Sequence, residues 1–276
     1  MLATLGYWLA DLAVMMMPAR AADALAVRLA RLWFRLRPQA RRTLEANLGR
    51  LVPGVSPREL RARTLGAFEH FALSFVDFLR LARLDVRALE SAIEVRGAHH
   101  LQAARDAGRG VILLSVHLGN WEWGAAYLAA HGQRIHLLAR PHASWFVETL
   151  FRRRREQRGV GVLAGAPHWP RVASALRRGE WVALMGDRPA RGMRPGARAA
   201  AGVPVCAWAA ALARRTGAVV VPAVMVRLAP GRYAACFEPP LAAERVTGGG
   251  RAALRGFLMR YPGQWFGFEP LPESLG

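Results

Sequence analysis

The chain has 276 residues, 53% of them hydrophobic, and a mean hydropathy of +0.12. That suffices for one large domain or a domain with an appendage, and it is greasier than a protein living free in water usually is. The formal net charge is +20 and all 39 basic residues are arginines, which excludes P-loop NTPases and Schiff-base chemistry, since both need a lysine.

Codon bias in a GC-rich genome produces the same arginine excess. The excess still suits an anionic partner, whether nucleic acid, anionic lipid or a phosphorylated carrier or substrate, because a planar guanidinium bonds two phosphate oxygens at once. Cys206 and Cys236 form no CxxC and join no His/Cys cluster. Neither a zinc site nor a disulfide framework is indicated, and a reduced, cytoplasm-facing body is expected.

Residues 1–17, "MLATLGYWLADLAVMMM", are apolar except for Thr4 and Asp11. As a helix they span roughly 26 Å, slightly short of the ~30 Å hydrocarbon core of a bilayer. No basic residue precedes the run, as a secretory signal would require; Arg20 is the first. The following "ADALAVRLARLWFRLR" sets Leu25, Leu29, Leu32 and Leu36 on one helical stripe beside Arg28, Arg31 and Arg35. This pattern fits a helix lying at the membrane interface with its arginines on lipid phosphates; a core-facing helix with a solvated flank gives it too. Membrane association is expected, peripheral or through a single N-terminal anchor, and spanning stays open. If residues 1–17 cross, the arginines after them keep the body at the cytoplasmic face.

Helical patterning continues through 41–84, broken at Pro53-Gly54 and restarted by Ser56 as a cap with Pro57 in the first turn. From residue 93 short β-branched runs alternate with helical ones. The runs "IEVRG", "GVILLSVH", "RIHLLAR", "GVGVLAG", "EWVALMG" and "AVVVPAVMVR" read as strands, with helices near 98–107, 121–131, 145–157, 170–178 and 204–215. "RLAPGRYAACFEPPL" reads as a hairpin partner turning at Pro230-Gly231. The fold class is α/β: a mainly parallel sheet flanked by helices over 91–276, behind a helical, membrane-associating part over 1–90.

One stretch concentrates chemistry. "VHLGNWEWG", residues 116–124, ends a buried strand on His117, turns at Gly119-Asn120 with Asn120 as an N-cap, and sets Glu122 in the first helical turn. Within one helix His117 and Glu122 would lie roughly 140° apart; across a strand–turn–helix junction they can face each other. Open α/β sheets bind ligands at the carboxyl ends of their strands, where His117 falls. A carboxylate on one imidazole nitrogen fixes the tautomer and raises the basicity of the other, suited to taking a proton from a hydroxyl attacking a thioester. A strand-end histidine satisfied by backbone, with a glutamate favouring the helix dipole, would leave the same pattern.

The His-x4-Glu of "HLGNWE" after an apolar strand resembles the late acyltransferases of lipid A biosynthesis. Their relatives include the phosphatidylinositol mannoside acyltransferases and the wider glycerol-phosphate acyltransferase superfamily. "RRTLEANLGRLVPG", "ARPHASWFVETLFRRRREQRGV", "GEWVALMGDRPARG", "CAWAAALARRTGAVVVPAVMVRLAPGRYAACFEPPL" and "RYPGQWFGFEPL" are similar, in order, to further family segments. The resemblance implies His117 as general base and Glu122 as its orienting partner. It sets Asn120, Arg140, Asp187 and Arg188 at the substrate. Arg140 would bind a phosphate or polarise an acyl carbonyl, and Asp187 would position the acceptor hydroxyl or pair with Arg140. Arg188 stands where the family usually has glutamine.

The resemblance further implies a cell inner membrane O-acyltransferase with an acyl carrier protein or acyl-CoA thioester as donor and a glycolipid or lipid A precursor as acceptor. A phospholipid or phosphatidylinositol mannoside acceptor, or a catalytically idle lipid-binding member, are the alternatives. Membrane lipids are the other partner; no cofactor and no metal are implied, and no histidine pair has metal-ligand spacing. Arg152 to Arg155 read as a solvated helix face or a landing site for lipid phosphates or an acidic carrier protein. Trp121 and Trp123 line the acyl entrance or pack the core, and Trp265 anchors the C-terminus. A nucleic-acid-binding protein would gather its arginines on one surface, whereas these are scattered, so no nucleic acid is expected.

Overall fold

A computed structural model describes residues 2–139, 142, 144–163, 168–188, 205–273 and 275. The chain opens with four helices: α1 (Leu2–Met16), α2 (Ala19–Leu36), α3 (Pro38–Leu51) and α4 (Pro57–Arg80). Ser56 caps α4 by accepting the Glu59 N–H at 3.2 Å, with Pro57 in the first turn, as the sequence predicts. On α2 the buried face is Ala22, Ala26, Ala30 and Phe34, and the three alanines let it pack closely against α4. Its leucine stripe points outward, with Leu29 55% and Leu36 67% exposed, so the core-facing side of α2 is the alanine face and not the leucines. Trp8, Leu12 and Met16 are likewise exposed on α1. No helix among the described residues is long and apolar enough to cross a membrane.

The body then alternates. After a short α5 (Val86–Ser91) come β1 (Ile93–Arg96), α6 (Ala98–Asp106), β2 (Val111–Ser115), α7 (Trp121–Ala130), β3 (Ile135–Leu138) and α8 (Trp145–Glu156). Then follow β4 (Gly161–Leu163), α9 (His168–Arg177), β5 (Trp181–Met185), α10 (Val205–Thr216), β6 (Val219–Ala229), β7 (Arg232–Phe237) and α11 (Val246–Arg260). Every predicted strand is present, and β6 turns into β7 at Pro230-Gly231. Helix α11 was not read from the sequence.

Among the described residues the strands form one sheet in the order β1-β7-β6-β2-β5-β3-β4. Neighbours are parallel except β6 with β7. β2 is central and wholly buried because helices cover both faces, which is why it reads as an unbroken apolar run. Ile112, Leu114 and Val116 pack into one layer with Trp208 and Leu254; Val111 and Leu113 pack into the other with Trp123 and Ala126. Each such side chain contributes about 1.5–3 kcal/mol by leaving water. That rigid centre carries the site.

Candidate active site

Register builds the site first. In the parallel β2/β5 pair Ser115 stands opposite Met185, so two residues later His117 and Asp187 emerge side by side at the carboxyl ends of their strands. The His117 ring Nδ1 lies 2.8 Å from Asp187 Oδ1, which also accepts the His117 backbone N–H at 3.1 Å. The other oxygen of Asp187 accepts the Trp265 indole N–H at 2.9 Å. Burial alone would raise this carboxyl, but the His117 ring, the Trp265 N–H and the Arg188 charge outweigh it and hold it at about 2. In the tautomer whose Nδ1–H donates to the carboxylate, Nε2 is the ring atom left to work on a substrate.

This corrects the expected dyad. Glu122 does sit in the first turn of α7 and is buried, but its oxygens belong to Arg155 of α8. Arg155 donates Nε to Oε2 at 3.0 Å and Nη2 to Oε1 at 2.6 Å, and the Trp121 indole N–H reaches Oε1 at 3.1 Å. Burial works against the Arg155 charge, yet Glu122 more than restores it and raises that guanidinium above its ordinary value. Among the described residues no hydrogen bond joins Glu122 to His117. The acid that orients the ring is Asp187, seventy residues away, rather than Glu122. Asp187 was expected on the acceptor hydroxyl or on Arg140 and is instead spent on His117 and Trp265.

The turn between base and helix is pinned from three sides. Gly119 has a φ of 62°, and a Cβ there would lie 1.8 Å from the Met225 carbonyl of β6, so only glycine fits. Its N–H donates to the Gln264 carbonyl at 3.0 Å and its carbonyl accepts the Ser74 hydroxyl of α4 at 3.1 Å. The Phe266 N–H closes on the His117 carbonyl at 2.8 Å. Asn120 caps α7 as predicted, accepting the Trp123 N–H at 3.4 Å. Its amide donors go to the Ser74 carbonyl at 3.1 Å and the Tyr233 hydroxyl at 3.4 Å. Asn120, expected at the substrate, lines the cavity beside His117 while its side-chain donors hold the turn.

His117, Glu122, Arg155 and Arg188 border a cavity of about 980 Å³. Apart from Ser74, Asn120 and His142, its remaining wall is mostly apolar and aromatic, with Phe75 and Phe78 of α4 and Phe151 of α8 on one part and Trp33, Phe71 and Phe266 on another. Tyr7 of α1 contributes to the same wall. Trp121 meets the His117 ring edge-on at 5.2 Å and lines the cavity, whereas Trp123 is core, donating its indole N–H to the Asp77 carbonyl at 3.0 Å. Arg188 reaches Glu269 at 3.3 Å and stays partly exposed at the cavity wall. Arg140 lies outside the described residues.

The arginine run divides by helical phase. Arg155 is buried on Glu122, Arg154 holds Asp11 of α1 at 2.7 Å, and Arg152 and Arg153 are exposed. A uniformly solvated face is therefore excluded for this run. Trp265, expected as an anchor, is buried as such, and it also touches the acid of the site, which its place near the C-terminus did not reveal. Among the described residues no cluster of three or more His, Cys, Asp or Glu could hold a metal ion.

An imidazole held by a buried carboxylate at the polar end of an aromatic cavity can deprotonate a hydroxyl beside a long apolar tail. No curated protein matches the chain. A family model described as bacterial lipid A biosynthesis acyltransferase matches residues 2–255, nearly the whole length. The chain belongs to the bacterial lipid A biosynthesis acyltransferase family.

Proposed function

We propose that this chain moves a fatty acyl group from a thioester, on acyl carrier protein or coenzyme A, to a hydroxyl of a lipid A precursor or related glycolipid, at the cytoplasmic face of the inner membrane. The observation that carries the reading is His117 held through Nδ1 by the buried Asp187 at the polar end of the aromatic cavity. Nε2 takes the proton of the acceptor hydroxyl as its oxygen attacks the thioester carbonyl. The C–O bond forms, the C–S bond breaks, and the proton passes from the imidazolium to the departing thiolate. Arg188 offsets charge at the cavity edge, on the acceptor or on the developing oxyanion. Glu122 and Arg155 brace the wall beside the base.

The apolar wall supports an acyl slot, since each buried methylene contributes about 0.8 kcal/mol. The outward leucines of α2 and the exposed Trp8, Leu12 and Met16 of α1 support a peripheral seat on the bilayer, with Arg28, Arg31 and Arg35 at the headgroups. The test is His117→Ala in a folded, membrane-bound preparation. Transfer of radiolabelled acyl groups should fall about a thousandfold; full retention would overturn the proposal. Lipid mass spectrometry of a deletion strain identifies the acceptor, because one species loses one acyl mass.

A further inference from the structure

A second hollow, of about 580 Å³, lies between the end of α1, the turn after α4 and the last turns of α8. Arg154 in the last turn of α8 and Arg158 in the turn that follows it face the hollow together with Arg83, and Met15 and Leu84 form its apolar side. It is separate from the catalytic cavity. Tyr7 lines that cavity, while Met15 is eight residues on, about 12 Å along the helix axis. Arg154 and Arg155 diverge into the two spaces.

Among the described residues the three guanidiniums have few protein acceptors. Arg83 spends one N–H on the Met15 carbonyl at 2.8 Å, and Arg154 spends one on Asp11 at 2.7 Å. Arg158 is drawn below its ordinary value by burial, with Asp85 only partly offsetting. Among the described residues the buried Nε–H groups of Arg154 and Arg158 meet no acceptor. A phosphate group is the anion whose oxygens match several guanidiniums at once.

We infer that this hollow is a phosphate site taking the headgroup of an anionic membrane lipid. The apolar side chains beside it select the source. Leu12 and Met16 are exposed on the same helix end, Met16 at 77%, and offer the lipid's acyl chains a surface that neither a free phosphate nor a carrier protein's carboxylates would use. A lipid held there fixes how the protein is rolled on the bilayer, and hence how the catalytic cavity meets it. The inference rests on the membrane-bound reading above.

The experiment is flotation with vesicles of phosphatidylcholine alone and of phosphatidylcholine containing phosphatidylglycerol. It compares wild type, R83Q/R158Q and, as a control for charge, R177Q/R214Q on exposed helix positions elsewhere. Partition of R83Q/R158Q onto the anionic vesicles should fall about tenfold or more, with neutral vesicles unaffected and the control within about twofold of wild type. R158Q alone, which removes no hydrogen bond among the described residues, should fall about threefold and covers the case in which the double variant fails to fold.

Equal partition of R83Q/R158Q and the control overturns the site. So does inorganic phosphate that raises the wild-type melting temperature, but not that of R83Q/R158Q, while vesicle binding stays intact; the source would then be soluble. Loss of acyl carrier protein binding with intact vesicle binding overturns it as well. Wild type that floats with neither vesicle sinks the membrane reading itself, a different result from the others.

Discussion

Asp187 and Glu122 are buried acids at one cavity, yet Asp187 receives an imidazole and an indole N–H while Glu122 receives a guanidinium. An imidazole is a proton-transfer group, whereas a guanidinium keeps its proton. One acid therefore tunes a base, and the other closes a permanent ion pair. Substitutions should separate rate from stability.

Asp187→Asn tests the rate side and should have the largest effect. The ring loses its tautomer and the imidazolium its counter-charge, so kcat should fall about a thousandfold, about 4 kcal/mol, in protein verified as folded by its melting curve. Glu122→Gln should act on stability first. Uncompensated, the buried Arg155 charge costs about 3 kcal/mol, read as a lower denaturant midpoint, and E122Q/R155M should recover most of it. Should folded E122Q lose as much rate as D187N, Glu122 would regain a direct part in the chemistry.

Acid titration sharpens the contrast. Asp187 is held at about 2 against an ordinary 3.8, so the folded state favours its charged form. That stabilisation, about 2 kcal/mol, is present above about pH 4 and is lost as the pH falls through 2. Between those limits D187N should have a flatter stability profile than wild type. An equally steep profile in D187N would assign the acid sensitivity elsewhere. The smallest effect belongs to Trp265→Phe, which removes one N–H from Asp187 and should lower kcat about fivefold, about 1 kcal/mol, with little change in KM.

The alternation of strands and helices was legible because apolar runs of four to eight residues separate cleanly from longer helical repeats. His117 at a strand tip and Asp187 at another were legible for the same reason. Their pairing was not. The choice between a glutamate five residues on and an aspartate seventy residues on depends on β5 lying beside β2, and two strands that intervene in sequence lie beyond β5 in space. Arg155 looked like one of four equivalent arginines until helical phase turned it inward. Helix α11 was hidden by "VTGGG", a start with poor intrinsic helix propensity. Packing overrides it: a Cβ on Gly250 would lie 2.8 Å from Leu114 Cδ2, so the missing side chain lets the helix approach the sheet.

The Ser115–Met185 pairing acts as a ruler for the catalytic pair. Because both arms extend two residues past the same rung, inserting or deleting one residue in either would swing a single partner to the opposite face of the sheet. Loops on this scaffold can therefore lengthen and diverge to suit new acceptors, while the spacing from Ser115 to His117 and from Met185 to Asp187 must stay matched.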